Sequence, residues 1–250
     1  MIRVGVFGAG GRMGGTVCDA VRSAADMELV ARVDPYLAGG EIAATPDAMT
    51  EAGVQVAVDF TVASAARDNV RWCAEHGVHA VVGTTGFSEA DLAEFGQLFD
   101  QSAANAVIAP NFAIGAVLMM RFAELAAPFF ETAEVIEFHH DQKADAPSGT
   151  AMLTAQRMAG ASKEWADDPT KTVVAQGARG GSVEHIPVHS VRMRGMVAHQ
   201  EVLLGTTGQT LSIRHDSYDR VSFMPGVLLA VRKVADSPGL TVGLDALLGL

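Results

Sequence analysis

Cysteine is scarce in this 250-residue chain, which contains only Cys18 and Cys73. Two cysteines cannot build a disulfide framework, and no CxxC pair or spaced histidine and cysteine set for zinc accompanies them. We therefore expect a protein of the reducing cytoplasm that binds no metal. Long apolar runs are also missing. None reaches the roughly 18 residues that a membrane span needs, and the first residues do not have the pattern of a signal peptide.

Basic residues are few as well: 18 Lys and Arg stand against 29 Asp and Glu, which gives a net charge of −11. Duplex binding depends on Lys and Arg that neutralise phosphates, so this balance argues against a nucleic-acid partner. Aromatic residues make up 6% of the chain and charged residues 19%, whereas 49% of the residues are hydrophobic. This composition predicts a globular protein with an ample core.

The chain opens with an apolar run, IRVGVF, that leads directly into the glycine-rich stretch GAGGRMGG. A strand, a glycine turn that opens a helix, and a second strand, MELVARVD, are typical of a dinucleotide-binding fold. The glycines let the backbone approach a pyrophosphate, and the helix N-terminus offers N–H groups to it. The spacing fits GxxGxxG through Gly8, Gly11 and Gly14, and Asp34 is placed to bind a ribose. A plain glycine turn is the alternative interpretation.

Three further apolar runs alternate with helical patterns and end in small or polar residues, DFT, GTTGF and APNF. This alternation predicts an α/β domain with a Rossmann-like, doubly wound parallel sheet, whose ligands lie at the carboxyl ends of the strands. Ser88 is the expected N-cap of the helix after GTTGF. We interpret the polar strand ends as contacts for a nicotinamide, with ordinary loops as the alternative. Asp34 would repel a 2′-phosphate and Arg12 is the only nearby cation, so we expect NADH to serve at least as well as NADPH.

The second half of the chain has a different pattern. It begins with the apolar helix IGAVLMMRFAELAAPFF, whose Met and Phe residues we expect in the core. Four stretches then alternate as strands do: TAEVIEF, SVEHIPVHSVRM, MVAHQEVLLG and QTLSIRHDS. They predict an α+β domain for substrate binding and oligomerisation, with an open, mainly antiparallel sheet. We expect a dinucleotide-binding domain at residues 1–111 and 222–250, and the substrate domain at residues 112–221.

The segment EVIEFHHDQKADAPSGTA, residues 134–151, has an unusually high density of polar groups. Pro147 followed by Ser148 predicts the start of a helix with Ser148 as its N-cap. The N–H groups near Gly149 and Thr150 would then form an anion site, for which a carboxylate is the natural ligand.

His139, His140 and Lys143 stand where the first strand of the second domain ends. Adjacent strand residues point to opposite faces, so we expect one histidine to donate a proton and the other to bind substrate. Lys143 suits a second anionic group. The alternatives are a solvated loop, a metal site and a serine nucleophile. Adjacent strand histidines cannot readily chelate one ion, and APSGT lacks the G-x-S-x-G context of a nucleophile elbow.

The segment of residues 134–151 resembles the signature of the 4-hydroxy-tetrahydrodipicolinate reductase family, long called dihydrodipicolinate reductase. The stretches VGVFGAGGRMG, VDFT, VGTTGF, APNFAIG and RHDSYDRVSFMPGVLLAVRKV also resemble this family, in the same order, so the resemblance covers essentially the whole chain. It implies an NADH- or NADPH-dependent oxidoreductase of lysine and diaminopimelate biosynthesis that reduces a cyclic unsaturated dicarboxylate with loss of water. It also implies a homotetramer.

The resemblance further implies roles for individual residues. His139 would be the general acid that protonates the product of hydride transfer, and Lys143 would bind substrate and assist proton transfer or loss of water. The substrate carboxylates would contact His140, Ser148, Gly149 and Thr150. The cofactor would contact Gly8, Gly10, Gly11, Arg12, Met13, Asp34, Gly83, Thr84, Thr85, Ala109, Pro110, Asn111 and Phe112. The Arg that follows the ribose-binding acid in the family is missing, since Pro35 follows Asp34.

Two other functions compete with this interpretation. A nicotinamide-sensing regulator without catalysis would have no need for a proton donor beside a lysine and an anion site. A semialdehyde dehydrogenase would need a cysteine nucleophile, whereas Cys18 and Cys73 lie in predicted helices of the nucleotide domain.

Overall fold

The computed structural model describes all 250 residues of the chain. The strands are β1 (Ile2–Phe7), β2 (Met27–Val33), β3 (Val56–Asp59), β4 (His79–Val82), β5 (Ala106–Ile108), β6 (Thr132–His139), β7 (Gly181–Val183), β8 (Ile186–Arg192), β9 (Ala198–Thr206), β10 (Gln209–Ser217) and β11 (Leu240–Val242). The helices are α1 (Arg12–Ser23), α2 (Asp47–Glu51), α3 (Ala63–Glu75), α4 (Glu89–Asp100), α5 (Ile114–Ala126), α6 (Gly149–Ala161), α7 (Met224–Lys233) and α8 (Asp245–Leu248). None of the helices combines the length and the apolar character needed to cross a bilayer.

Contacts within the chain divide it into two units, one formed by Met1–Ile114 with Arg220–Leu250 and the other by Gly115–Asp219. The first unit contains a six-stranded sheet in the order β11-β5-β4-β3-β1-β2. Every neighbouring pair in this sheet is parallel. Because β2 and β3 lie on opposite sides of β1, the chain reverses its direction of winding there, as it does in doubly wound folds. The predicted Rossmann-like architecture is confirmed.

Short apolar strands form the middle of this sheet because both of its faces are covered. All four residues of β3 are buried. Val70 of α3 and Phe95 and Phe99 of α4 belong to one buried cluster with the sheet. Ser88 caps α4 as predicted, and it forms a reciprocal capping box with Asp91.

Four strands of the first sheet end in register. Phe7 pairs with Asp59, Asp59 with Val82, and Val82 with Ile108. These are the last residues of β1, β3, β4 and β5, so the loops that follow all leave from the same edge of the sheet. The glycine turn and the polar strand ends therefore lie side by side within the first unit.

The second unit contains a five-stranded sheet in the order β10-β9-β6-β8-β7. Its pairs are antiparallel except for β6 with β8, which is parallel, so the sheet is mixed and mainly antiparallel. Helix α6 covers one face, where Ala155 and Met158 join Val135, Val188 and Val202 in a buried cluster. The predicted α+β character of this half is confirmed.

One predicted strand, SVEHIPVHSVRM, was wrong, because this stretch forms two strands joined by a tight turn. Val183 pairs with Ile186, which leaves Glu184 and His185 as the two turn residues. Their φ angles are 48° and 73°, the sign required at both positions of a type I′ turn, where Asn and Gly are preferred. Neither residue gives that signal, so the alternating pattern concealed the turn.

Helix α5 is only partly the core helix that its composition predicted. Met119 and Met120 are buried, but Phe122 is 48% exposed and Leu125 53% exposed. Apart from Arg121 and Glu124, which pair with each other at 3.1 Å, the residues of α5 are apolar or small. The sequence of this helix therefore gives little signal for which of its apolar residues are buried. The expectation therefore holds for these methionines and was wrong for Phe122.

Three short elements lie where no element was predicted: α2, β11 and α8. They contain five, three and four residues, too few to establish a periodic pattern. Strand β11 nevertheless pairs with β5 and completes the first sheet.

Candidate active site

The glycine turn after β1 leaves almost no room for side chains. Gly8 has a φ of +63°, and a Cβ there would lie 2.8 Å from Cγ2 of Thr61. The N–H of Gly11 donates to the carbonyl of Gly8 at 3.0 Å, and a Cβ on Gly14 would lie 2.1 Å from that carbonyl oxygen. Helix α1 then begins at Arg12 without a side-chain cap at Gly11. Close packing and an uncapped helix start are what a bound pyrophosphate requires, so these residues fit a dinucleotide.

Asp34 follows the last residue of β2, and only 6% of its surface is exposed. Its carboxylate accepts hydrogen bonds from the backbone N–H groups of Gly10 at 3.2 Å, Tyr36 at 3.0 Å and Leu37 at 3.1 Å. A carboxylate offers about four acceptor positions, so one remains for a further donor such as a ribose hydroxyl. The sequence predicted an acid at this strand end, but it did not predict that backbone N–H groups nearby would donate hydrogen bonds to the carboxylate.

Asp59, the last residue of β3, connects two of the loops at the polar edge, although only its strand end was singled out in the sequence. It is 2% exposed. Its carboxylate accepts hydrogen bonds from the N–H and hydroxyl of Thr61, both at 2.7 Å, from the amide of Asn69 at 2.7 Å, and from the hydroxyl of Thr84 at 3.3 Å. The loops after β3 and β4 are thereby held together.

An aromatic pair supports the loops after β3, β4 and β5. A Cβ on Gly83 would meet the ring of Phe60 at 2.0 Å, and this ring lies 5.6 Å from that of Phe112 between centroids. Of the other residues expected to contact the cofactor, Ala109 is buried and Pro110 is exposed. Thr85 is exposed, whereas Met13 and Asn111 are half-buried.

In the second unit, Glu137 and His139 stand two residues apart on β6 and therefore on the same face. Glu137 has no exposed surface. Its Oε2 lies 2.5 Å from Nδ1 of His139, and its Oε1 accepts the N–H of Ser148 at 3.1 Å. Arg192 of β8 donates to both carboxylate oxygens, at 2.7 and 2.8 Å. A residue with no predicted role is thus bonded to two predicted site residues.

Burial alone would raise the pKa of Glu137, because a carboxylate loses its hydration there. Hydrogen bonds from His139, Arg192 and Ser190 outweigh that effect and lower its pKa to about 2. Glu137 is therefore ionised at neutral pH, and Arg192 is the permanent cation that balances it.

Helix α6 begins as predicted, with Ser148 at its N-cap. The Ser148 hydroxyl accepts the N–H of Ala151 at 3.2 Å, and its carbonyl accepts that of Met152 at 3.0 Å. Gly149 is exposed at the tip of the helix, and nothing lies within 4 Å of where its Cβ would stand. The hydroxyl of Ser148 is thus engaged as the helix cap, and Ser148 is only 4% exposed. The N-terminus of α6 at Gly149 is, in contrast, accessible to an anion.

Lys143 is paired with an acid of its own loop. Its Nζ lies 2.8 and 2.9 Å from the two carboxylate oxygens of Asp145. The hydrogen bond from Lys143 lowers the pKa of Asp145, which is largely exposed. His140 lies beyond the last residue of β6, and its Nδ1 accepts the N–H of Gln142 at 3.2 Å. Strand alternation therefore does not determine where His140 points.

Metal and thiol chemistry find little support in these side chains. No group of three or more His, Cys, Asp or Glu side chains is arranged to hold a metal ion. Cys18 and Cys73 are both buried and unpaired. Burial raises the pKa of both thiols, which disfavours the thiolate that a nucleophile needs.

Comparison with known proteins places the chain in a family. Two family models match it, dihydrodipicolinate reductase N-terminus over residues 2–112 and dihydrodipicolinate reductase C-terminus over residues 115–248. The chain belongs to the dihydrodipicolinate reductase family. The resemblance expected from the sequence is confirmed.

Similar members of the dihydrodipicolinate reductase family match along their full length. The chain is 56% identical to the 4-hydroxy-tetrahydrodipicolinate reductase of Nocardia farcinica and 54% identical to that of Corynebacterium aurimucosum, in each case over 100% of this chain and 99% of the relative. A dipicolinate-bound dihydrodipicolinate reductase from Paenisporosarcina sp. TG-14 matches with a TM-score of 0.89 at 39% identity, over 98% of this chain and 99% of that one. An amine dehydrogenase from Mycobacterium smegmatis, with a TM-score of 0.65 at 13% identity over 96% of this chain and 94% of that one, shares the fold alone.

Sequence reasoning missed the three residues that organise this family member's candidate site: Asp59, Glu137 and Arg192. Glu137 lies within the polar segment of residues 134–151, but in the sequence it resembles an ordinary strand residue. Arg192 is 55 positions away along the chain. The available signal was the placement of an acid two residues before His139, on the same face of one strand.

Gly14→Ala and Gly15→Ala form a matched pair in the first turn of α1. Nothing lies within 4 Å of a Cβ on Gly15, in contrast to the contact of 2.1 Å at Gly14. We expect Gly14→Ala to lower the free energy of unfolding by at least about 2 kcal/mol. Gly15→Ala should leave it unchanged or raise it by up to about 1 kcal/mol. Urea unfolding followed by circular dichroism measures both, and equal losses would contradict the close packing of the turn.

Proposed function

We propose that this chain reduces 4-hydroxy-tetrahydrodipicolinate to tetrahydrodipicolinate with loss of water, using NADH or NADPH, in lysine and diaminopimelate biosynthesis. The observation that carries the proposal is the arrangement in the second unit of a histidine held by a buried carboxylate, a lysine and an open helix tip. It occurs in a chain that is 54–56% identical, over its full length, to curated reductases of this name.

The residues of the second unit are suited to hold a cyclic dicarboxylate. The tip of α6 at Gly149 and Thr150 would bind one carboxylate, because N–H groups and the positive end of the helix dipole attract anions. Lys143 would bind the other, exchanging its present partner Asp145 for the ligand. His140, which is exposed, would add a hydrogen bond.

His139 would supply the proton of the reaction. Its Nδ1 is engaged by Glu137, so Nε2 is the ring nitrogen that remains for the substrate. When bound, the nicotinamide supplies a hydride to a ring carbon of the conjugated C=C–C=N system that loss of water creates. A proton from Nε2 then completes the addition of two hydrogens, and imidazole suits this task because it titrates near neutral pH.

The first unit would hold the cofactor. The glycine turn at Gly8–Met13 would meet the pyrophosphate, Asp34 the ribose, and the loops after β4 and β5, with Gly83, Thr84, Thr85 and 109–112, the nicotinamide half. Because the Asp34 carboxylate repels a 2′-phosphate and Arg12 alone could attract it, we expect NADH to serve at least as well as NADPH.

We expect the chain to act as a cytoplasmic homotetramer. Two buried, unpaired cysteines suit a reducing compartment. The face of the second sheet away from α6 carries Ile136, Phe138 and Leu203, all partly exposed, and an uncovered sheet with such residues favours association between copies. Sedimentation equilibrium should give about four times the chain mass of 26.1 kDa, and a monomer at micromolar concentration would overturn this expectation.

A coupled assay tests the proposed reaction. A separate synthase generates the substrate from pyruvate and aspartate semialdehyde, and the loss of reduced-nicotinamide absorbance is followed with NADH and with NADPH. Turnover should depend on the synthase, with a rate for NADH at least equal to that for NADPH. A folded protein that binds NADH but turns over neither cofactor would refute the reductase function and favour a nicotinamide sensor.

His139→Gln should lower kcat roughly a hundredfold or more, because the proton donor is lost. The dissociation constant for NADH should not change, since His139 is not among the cofactor contacts. Steady-state kinetics and fluorescence titration with NADH measure the two quantities. A variant with the kcat of the unmodified enzyme would remove His139 from the role of acid.

A further inference from the structure

We propose that Glu137 is a positioning residue that fixes the nitrogen through which His139 exchanges its proton. The inference rests on the proposed function, in which His139 is the acid. Glu137 has no exposed surface, so it cannot meet substrate itself and can act only through the groups bonded to it.

The two carboxylate oxygens of Glu137 have separate tasks. Oε2 accepts the Nδ1–H of His139 at 2.5 Å, and Oε1 accepts the N–H of Ser148 at 3.1 Å. One rigid group therefore sets both the orientation of the imidazole ring and the entry into α6. The proposed proton donor and the proposed carboxylate site are tied to the same atoms.

Arg192 fixes the carboxylate of Glu137 and connects it to the loop that carries Lys143. It donates to both oxygens of Glu137 and, through Nη2, to the carbonyl of Asp145 at 2.6 Å. Asp145 in turn holds Nζ of Lys143. A bidentate guanidinium leaves a carboxylate little freedom to rotate, so the orientation of Glu137 is determined before any ligand binds.

The carboxylate also determines the tautomer of His139. Ionised Glu137 can only accept, so the ring nitrogen facing it must carry a hydrogen. The neutral ring then bears its hydrogen on Nδ1 and a lone pair on Nε2, while the protonated ring presents N–H at Nε2. Every proton given or taken by His139 therefore passes through Nε2, the nitrogen that we assign to the substrate.

Glu134 provides an internal comparison on the same strand. It also binds an arginine and a histidine, with its Oε1 2.5 Å from Nη2 of Arg179 and its Oε2 bonded to Nε2 of His189. Glu134 stands three residues before Glu137 on β6, so the two side chains lie on opposite faces of the sheet. None of its partners belongs to the proposed site, so Glu134→Gln is a control of matched chemistry.

Glu137→Gln separates the two tasks of the carboxylate. The amide oxygen can keep the bond from the Ser148 N–H, which places the NH₂ group opposite Nδ1 of His139. That ring nitrogen must then accept instead of donate, which moves the hydrogen of the neutral ring to Nε2. The variant should therefore disturb His139 while preserving the start of α6.

Glu137→Gln should therefore affect catalysis more than ligand binding. In the coupled assay we expect Glu137→Gln to lower kcat about 10- to 100-fold. Calorimetry should show a change of less than about threefold in the dissociation constants for NADH and for dipicolinate, the dicarboxylate bound by the Paenisporosarcina relative. Both should be nearly unchanged because the start of α6 and the first unit are preserved. Glu134→Gln should change none of these quantities. A normal kcat in Glu137→Gln, or an equal loss in Glu134→Gln, would overturn the inference.

Nitrogen-15 NMR of the histidine rings gives a readout that does not depend on turnover. At a pH high enough to keep the ring neutral, Nδ1 of His139 should carry the hydrogen in the unmodified protein. Glu137→Gln should move this hydrogen to Nε2. The signals of His139 are assigned by their loss in His139→Gln. An unchanged tautomer in Glu137→Gln would refute the positioning role. This outcome is distinct from failure of the proposed function, which would appear as no turnover by the unmodified enzyme.

If Glu137→Gln does not fold because Arg192 is left buried without its counterion, the double variant Glu137→Gln/Arg192→Met replaces it. Removing both members of a buried ion pair is tolerated better than removing one. The same loss of kcat and the same shift of tautomer are expected. Retention of the original tautomer in the folded double variant would overturn the inference.

Discussion

A carboxylate taken out of water must be surrounded by hydrogen-bond donors, and this constraint organises the candidate functional residues of both units. Asp34, Asp59 and Glu137 are 6%, 2% and 0% exposed. Each stands at or near the end of a strand, and each accepts at least three hydrogen bonds from neighbouring segments. Several of the donors come from segments that carry the proposed ligand contacts, such as Gly10 for Asp34, Thr84 for Asp59 and Ser148 for Glu137. The hydrogen bonds that satisfy these buried carboxylates therefore also fix parts of the candidate site.

The pair formed by Lys143 and Asp145 follows the opposite rule. The side chain of Asp145 is 63% exposed and that of Lys143 is 21% exposed, and an ion pair that reaches solvent through one partner contributes about 0–1 kcal/mol. A contact this weak can be exchanged for a carboxylate of a ligand, whereas the pair of Glu137 with Arg192 cannot be exchanged without leaving a charge buried. The site thus combines a fixed interior with a replaceable outer contact.

The sequence predicted what local patterns encode. Apolar runs between helical stretches determined the doubly wound sheet, Ser88 and Ser148 were recognisable as N-caps, and the glycines after β1 marked a close approach of backbone segments. The tight turn at Glu184 and His185 was missed because positive φ angles leave no mark on residues of these types.

The sequence singled out residues of the candidate site but not the connections between them. His139, Lys143 and the start of α6 stood out because they are dense and polar in an apolar chain. Glu137 acquires its importance only when β8 is laid parallel to β6, which brings Arg192 to it from 55 positions away. Such a long-range pair has no signature in a single sequence. The polar strand ends drew attention to the loops after β3 and β4, but not to the hydrogen bonds by which Asp59 links them.

The first unit is built from two segments that lie on either side of the second unit in the sequence, and this order affects its synthesis. Strand β5 ends at Ile108, while its partner β11 begins at Leu240, so the edge position of the sheet stays empty until residues 240–242 have left the ribosome. All of Gly115–Asp219 emerges before that, and domains generally fold as units during synthesis. The second unit is therefore available to fold first, and the first unit closes its sheet last although its chain begins first.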